Sequence, residues 1–109
     1  MRPGFTLTRF GEQLDHFQIA PGVTMAPLAW TRHDTPLPAS AFVWFAPGAR
    51  IAGDHHADSA EITVVLRGEL TDESGTYGPD DVLTAERGTT HSPHTQTGCF
   101  LYVIFPDRR

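Results

Sequence analysis

Apolar residues in this chain fall into short blocks, and almost every block stops at a Gly or Pro turn. Val23–Trp30 is entered through Pro21-Gly22 and reads as a strand. The two prolines of 33–38 mark a loop, and the aromatic run Ala39–Phe45 after it is strand-like and ends at Pro47-Gly48. Glu61–Leu66 is β-branched and stops at Arg67-Gly68. Glu69–Thr71 continues after that turn, and Asp72-Glu73-Ser74-Gly75 reads as a hairpin loop feeding Thr76–Tyr77. Gly78-Pro79-Asp80-Asp81 then precedes a short strand, Val82–Ala85, and Arg87-Gly88 precedes Thr89–His91. Cys99–Phe105 is almost wholly apolar, the pattern of a strand buried on both faces. Residues 1–20 allow two readings: a turn of helix, on the spacing of Phe10, Leu14 and Phe17, or an extended arm. Short strands with turn signals every 8–12 residues or so predict an all-β sandwich or barrel.

Composition narrows this further. A chain of 109 residues makes one domain, expected over 21–109 behind an N-terminal arm of 1–20. With 10 Gly and 9 Pro spread along it, a helical bundle is disfavoured. The 39% hydrophobic content includes enough aromatics to exclude wholesale disorder. A single Cys excludes a disulfide scaffold and a thiolate zinc site. No apolar run approaches the roughly 18 residues of a membrane span, and no leader-like core follows Met1, so the expectation is a soluble cytoplasmic protein without a membrane partner. The net charge is −5, and the arginines are scattered apart from Arg108-Arg109, which argues against a nucleic-acid partner.

The chemistry concentrates between Gly48 and His91. The spacing is Gly48-x5-Asp54-x-His56-x4-Glu61-x6-Gly68, followed by Gly88-x2-His91. Imidazole and carboxylate together suit borderline divalent ions such as Fe, Zn, Mn or Ni. Asp54 and His56 are two apart, so on a strand they share a face, whereas His55 points the other way. Donors from separated strands converge only inside a closed or nearly closed sheet, where opposite walls face each other. His56, Glu61 and His91 would then make a two-His-one-carboxylate set with coordination positions to spare.

This spacing resembles the cupin superfamily, whose first motif is G-x5-H-x-H-x3,4-E-x6-G and second G-x5-P-x-G-x2-H. Asp54 stands where the first His belongs, Asp80 where the second motif has its leading Gly, and Glu86 where it has Pro; Gly88 and His91 match. Pro21-Gly22-Val23 with Pro27-Leu28, Phe45-Ala46-Pro47-Gly48-Ala49, the hairpin from Leu70 to Tyr77, His91-Ser92-Pro93 and Gly98-Cys99 extend the resemblance to the ChrR-like cupin group over about residues 21–105. The resemblance implies a small antiparallel jelly-roll barrel with one metal ion inside, Fe(II) or Zn(II) foremost and Mn or Ni as further options. It assigns His56, Glu61 and His91 as ligands. At position 54 three outcomes stay open: Asp54 ligates, His55 swings in across a bulge, or the ion keeps three ligands. The same group implies a dioxygenase that cleaves diketone-type substrates chelated through two oxygens. The alternatives are a zinc-dependent isomerase or cyclase, and a non-enzymatic small-ligand or metal-sensing module.

Other residues carry weaker expectations. His94 is a candidate acid–base group near the mouth, and Phe42, Trp44 and Tyr102 are candidates for a substrate pocket. Arg50 and Arg67 flank the motif and could meet an anion. Cys99 reads as core, and His16 and His33 as ordinary surface residues. The apolar last strand and the aromatic N-terminal third leave surface for a homodimer.

Overall fold

The computed structural model describes residues 2–9, 11, 13–56 and 59–108. The turn-bounded blocks become ten β-strands among these residues. Three are eight residues long: β2 (Val23–Trp30), β3 (Pro38–Phe45) and β5 (Glu61–Gly68). With β10 (Cys99–Ile104), β1 (Phe17–Ala20) and β8 (Val82–Ala85) they form one antiparallel sheet in the order β1-β2-β3-β10-β5-β8. Facing it are two ribbons. One pairs β4 (Asp54–His55) with β9 (Thr90–His91), the other β6 (Leu70–Asp72) with β7 (Gly75–Tyr77). β1 lies within the expected arm: Phe17 pairs with Met25 and Gln18 with Thr24, so 17–20 is extended. Of the three residues that suggested a helical turn, Phe10 lies outside the described residues.

Period-two patterning decides which side of the large sheet is the core. Leu101 lies between Val43 and Val65 in register, Val103 between Ala41 and Thr63, and Cys99 between Phe45 and Gly68. All of these but Gly68 are buried, and Val23 and Val65 are almost completely so. Burying each such aliphatic side chain is worth about 1.5–3 kcal/mol. Tight passage of β5 across β10 depends on Gly68. Its φ of +76° favours glycine, and a Cβ there would lie 2.1 Å from the Gly98 carbonyl oxygen. The register between the two strands shifts next to it, between Phe100 and Leu101.

Two expectations are corrected. The sheets stay open and do not close into a jelly-roll barrel: the large sheet ends at β1 and β8, and the ribbons are separate sheets. Turns at Gly53, Gly75, Gly88 and Pro93 cut the second wall into strands of two or three residues, too short for a continuous ladder. Isolated bridges from His94 to Arg50 and to Thr71 help to stitch it together. The last strand is also not buried on both faces. Burial alternates along β10, leaving Phe100, Tyr102 and Ile104 half-buried on the outer side. The Phe42 ring stacks on Phe100 at 5.6 Å and leans on Tyr102 at 5.1 Å, so these aromatics cover one another.

Candidate metal centre

The β4–β9 ribbon builds the centre. Asp54 and His91 are direct cross-strand partners, so their side chains leave the ribbon on one face. Beyond β4 the pairing continues through His56 N–H to the Thr89 carbonyl at 2.9 Å and Gly88 N–H to the His56 carbonyl at 2.7 Å. His56, two residues past Asp54, therefore projects beside it. Ligand atoms of Asp54, His56 and His91 lie within 4.8 Å of one another. One Asp54 oxygen is 3.5 Å from each Nε2. Glu61, at the start of β5 on the opposite wall, brings Oε2 to 2.7 Å from Nε2 of His56.

Both rings are tethered from behind. Nδ1 of His56 lies 3.2 Å from the Thr89 carbonyl oxygen and 3.2 Å from its hydroxyl. Nδ1 of His91 lies 3.1 Å from Oδ2 of Asp72. Each tether turns the Nε2 atom inward. His56 is only 6% exposed. Both Nε2 atoms are buried and face carboxylate oxygens: Glu61 for His56, Asp54 for both. Donors about 2.1 Å from one ion and near right angles to each other sit roughly 3 Å apart, and the spacings of 2.7 and 3.5 Å here straddle that figure. The residues thus fit a mononuclear divalent ion: Asp54, His56 and His91 form a potential triad, with Glu61 against it.

The charges are tightly interdependent. The Asp54 carboxylate beside it pushes His91 up to about 9, with Asp72 adding to the rise and burial opposing it. Burial works to raise Asp54 and Asp72, but their imidazole neighbours outweigh it and both carboxyls end below the usual range. Glu61 goes the other way: burial raises it, and the negative Asp54 adds to the rise against the pull of His56. Without an ion the centre holds itself together by sharing protons, and a divalent ion would replace them.

The donors open on a cavity of about 340 Å³ between the two walls. Val43, Phe45, Leu101, Val103 and Phe105 give it an apolar floor, and Met25 and Ile51 line it as well. Volume and lining are those of a small-molecule site. Phe42, Trp44 and Tyr102, expected in the pocket, lie outside it. They occupy the outer face of β3 and β10, and the inward positions are their odd-numbered neighbours Val43, Phe45, Leu101 and Val103. Trp44 is 54% exposed.

The remaining candidates are placed as follows. His55 is exposed at the cavity's edge with its Nδ1 2.5 Å from the Thr90 hydroxyl, and it is not among the donors that converge. His94 exchanges backbone hydrogen bonds of 2.8 Å with Thr71 and does not line the cavity. Arg50 is exposed, and Arg67 lies over the Phe100 ring at 5.0 Å on the outer side. Cys99 is buried in the core, which raises its thiol to about 11. His16 and His33 are exposed.

Two residues at the site were not anticipated. Asp72 sits in a segment that reads as a turn, and Ser74 N–H indeed donates to its Oδ1 at 2.8 Å, as an Asx turn does. Nothing in that local pattern announces a partner 19 residues away. Arg108 lines the cavity from beyond the last strand, with its guanidinium 4.1 Å over the Phe105 ring and donating to the Pro38 carbonyl at 2.9 Å. A C-terminal Arg-Arg carries no signal that would have placed it there.

Comparison with known proteins agrees with this geometry. The family described as ChrR Cupin-like domain matches residues 8–106. The chain belongs to that family. Among solved structures it resembles the Rhodobacter sphaeroides SigE–anti-sigma ChrR complex at 23% identity and a TM-score of 0.71, covering 89% of this chain and 52% of that one. It therefore spans about half the length of that matched chain. An RmlC-like cupin from Shewanella frigidimarina matches at 21% identity and a TM-score of 0.70, over 93% of this chain and 90% of that one. KdgF from a Halomonas species matches at 21% identity and a TM-score of 0.68, over 91% and 93%. These likenesses concern the fold. No curated protein matches the chain. Among the described residues, no helix is long and apolar enough to cross a membrane.

Proposed function

We propose that this protein is a mononuclear-metal cupin module that takes up a small oxygenated organic ligand at the ion. The observation that carries this reading is the convergence of the buried Nε2 atoms of His56 and His91 with the Asp54 carboxylate, all within 4.8 Å of one another, beside an apolar-walled cavity. The ligand set is Asp54, His56 and His91, with Glu61 as a fourth donor. The ion is Fe(II) or Zn(II); Mn and Ni suit the same donors. A bound ion supplies a Lewis acid with positions left for ligand oxygens. The chain's own part is to aim the two Nε2 atoms at the ion, exclude water with the floor of Val43, Phe45 and Leu101, and receive an apolar body beside the oxygens.

This is foremost a ligand- or metal-sensing module. A second reading, a dioxygenase of the diketone-cleaving type, is favoured by one observation: two His and one carboxylate are the donor set suited to Fe(II) and O2. Metal analysis of protein purified without chelator is the first test. Near-stoichiometric Fe or Zn, lost in His56→Ala and His91→Ala, is expected, and a metal-free protein that also resists reconstitution would overturn the proposal. Oxygen consumption by the iron-loaded protein with a β-diketone panel selects the dioxygenase. Ligand-induced thermal stabilisation without oxygen uptake selects the sensor.

The proposal includes a homodimer. The outer face of the large sheet presents Trp44, Leu66 and Val82 exposed beside the stacked Phe42, Phe100 and Tyr102. An apolar face of this kind, centred on one sheet, suits isologous pairing with a second copy. Light scattering should give twice the chain mass, and Trp44→Ser should shift it toward the monomer; a monomeric wild type removes the claim.

A further inference from the structure

We propose that Asp72 is the positioning residue that presents Nε2 of His91 to the ion. The inference rests on the metal reading of the site but concerns a residue outside the ligand set. Asp72 is held in the β6–β7 hairpin with its side chain only 7% exposed. Its two oxygens meet three donors: Nδ1 of His91 at 3.1 Å on Oδ2, and the Tyr77 hydroxyl and Ser74 N–H, each at 2.8 Å, on Oδ1. An ionised carboxylate only accepts, so the ring must carry its proton on Nδ1, and the lone pair of the neutral ring is left on Nε2, facing Asp54 and His56. Tyr77 and Ser74 fix the plane of the carboxylate that makes this choice. The next residue grips the neighbouring backbone: Glu73 Oε1 accepts from Ser92 N–H at 2.9 Å. The hairpin thus holds both the side chain of His91 and the chain just after it.

The two histidines differ here in a way that makes the idea testable. A carbonyl, that of Thr89, orients His56, and no substitution removes it. His91 depends on one replaceable side chain. Asp72→Asn keeps the shape but offers a single acceptor oxygen. It cannot serve both His91 and the Tyr77–Ser74 pair.

The experiment measures Zn(II) affinity of the full chain by competition with a chromophoric chelator, alongside 15N NMR of the His91 ring in metal-free protein at a pH where the ring is neutral. Asp72→Asn is expected to weaken zinc by roughly 10- to 100-fold and to move the ring proton from Nδ1 toward Nε2. Tyr77→Phe, which removes one of the two donors on Oδ1 without touching His91, should weaken zinc by only a few-fold. Far-UV spectra and urea midpoints identify variants that fail to fold, and Tyr77→Phe keeps the idea exposed should Asp72→Asn be one of them. A folded Asp72→Asn protein with wild-type zinc affinity overturns the proposal, as does a wild-type ring protonated at Nε2. Should the wild type bind no zinc yet keep the proton on Nδ1, the metal reading falls and the orientation of the ring by Asp72 stands.

Discussion

The two walls of this molecule are built on different economies. The six-stranded wall has strands of up to eight residues, alternating burial along β10 and an apolar floor. The facing wall consists of ribbons with strands of two or three residues, yet it carries Asp54, His56, His91 and Asp72. Long strands bury enough side chain to stabilise themselves. Short ones cannot, and their residues are held by side-chain tethers and, when an ion is present, by coordination. Stability and chemistry are thus divided between walls. Glu61, at the start of β5, reaches across from the stable side.

The largest effect that tests this division is Phe45→Ala. Phe45 is 2% exposed and sits between Cys99 and Val23 in register. Its truncation should cost about 3–5 kcal/mol in a urea titration, metal present or absent. On the ribbon wall, His91→Ala should behave the other way. Its metal-free stability should fall by less than about 2 kcal/mol, while the gain from zinc disappears. In the wild type that gain is about 2.7 kcal/mol at a hundred times Kd. If His91→Ala unfolds the metal-free protein as Phe45→Ala does, the walls are not separable.

The same division explains what was legible in the sequence. Val23–Trp30, Ala39–Phe45 and Val82–Ala85 could be placed within a residue because runs of strand-forming residues there are bounded by Gly and Pro turns. The site motif was legible because Asp54 and His56 share a face by spacing alone. Closure was not legible. Whether ribbons join a sheet depends on hydrogen bonds between distant segments, and no local pattern encodes them. Nor was the choice of inner face. Phe42-Val43-Trp44-Phe45 is apolar throughout, so aromatic size pointed to Phe42 and Trp44, whereas register with β10 put Val43 and Phe45 inside. Asp72 escaped because a turn-forming Asp and a histidine-orienting Asp look alike in sequence.

A medium effect is expected from pH. His91 titrates near 9 in the folded metal-free protein against an ordinary value of 6.5. A raised value means the folded state holds the proton more tightly. The stabilisation is complete below about 6.5 and is lost as pH climbs through 9. Asp54 and Asp72 are lowered, so their contribution fades instead as pH falls through the carboxylate range. Metal-free protein should therefore melt highest near neutrality and lower on both sides. A divalent ion competes with the His91 proton, so the stabilisation by zinc should grow over the same rise from 6.5 to 9. Melting curves with and without chelator read both slopes, and parallel slopes would show that proton and ion do not share Nε2.

The smallest effect belongs to the turn into β8 on the long-strand wall. Asp80 stands where the cupin pattern has glycine, and it is the one non-glycine residue with positive φ, +74°, among those described. The turn keeps the backbone shape glycine would have taken, because Asp80 N–H donates to the Val65 carbonyl at 2.9 Å and Asp81 N–H to the Gly78 carbonyl at 3.0 Å. Left-handed backbone costs an L-residue about 1–2 kcal/mol, with Asp among the residues that tolerate it best. Asp80→Gly removes that strain but gives the unfolded chain more freedom, a loss of about 0.4–1 kcal/mol. A net gain under 1 kcal/mol is expected in urea midpoints, with zinc affinity unchanged because Asp80 touches no part of the centre. A loss of stability would mean that the aspartate side chain, rather than the backbone it inherits, holds the turn.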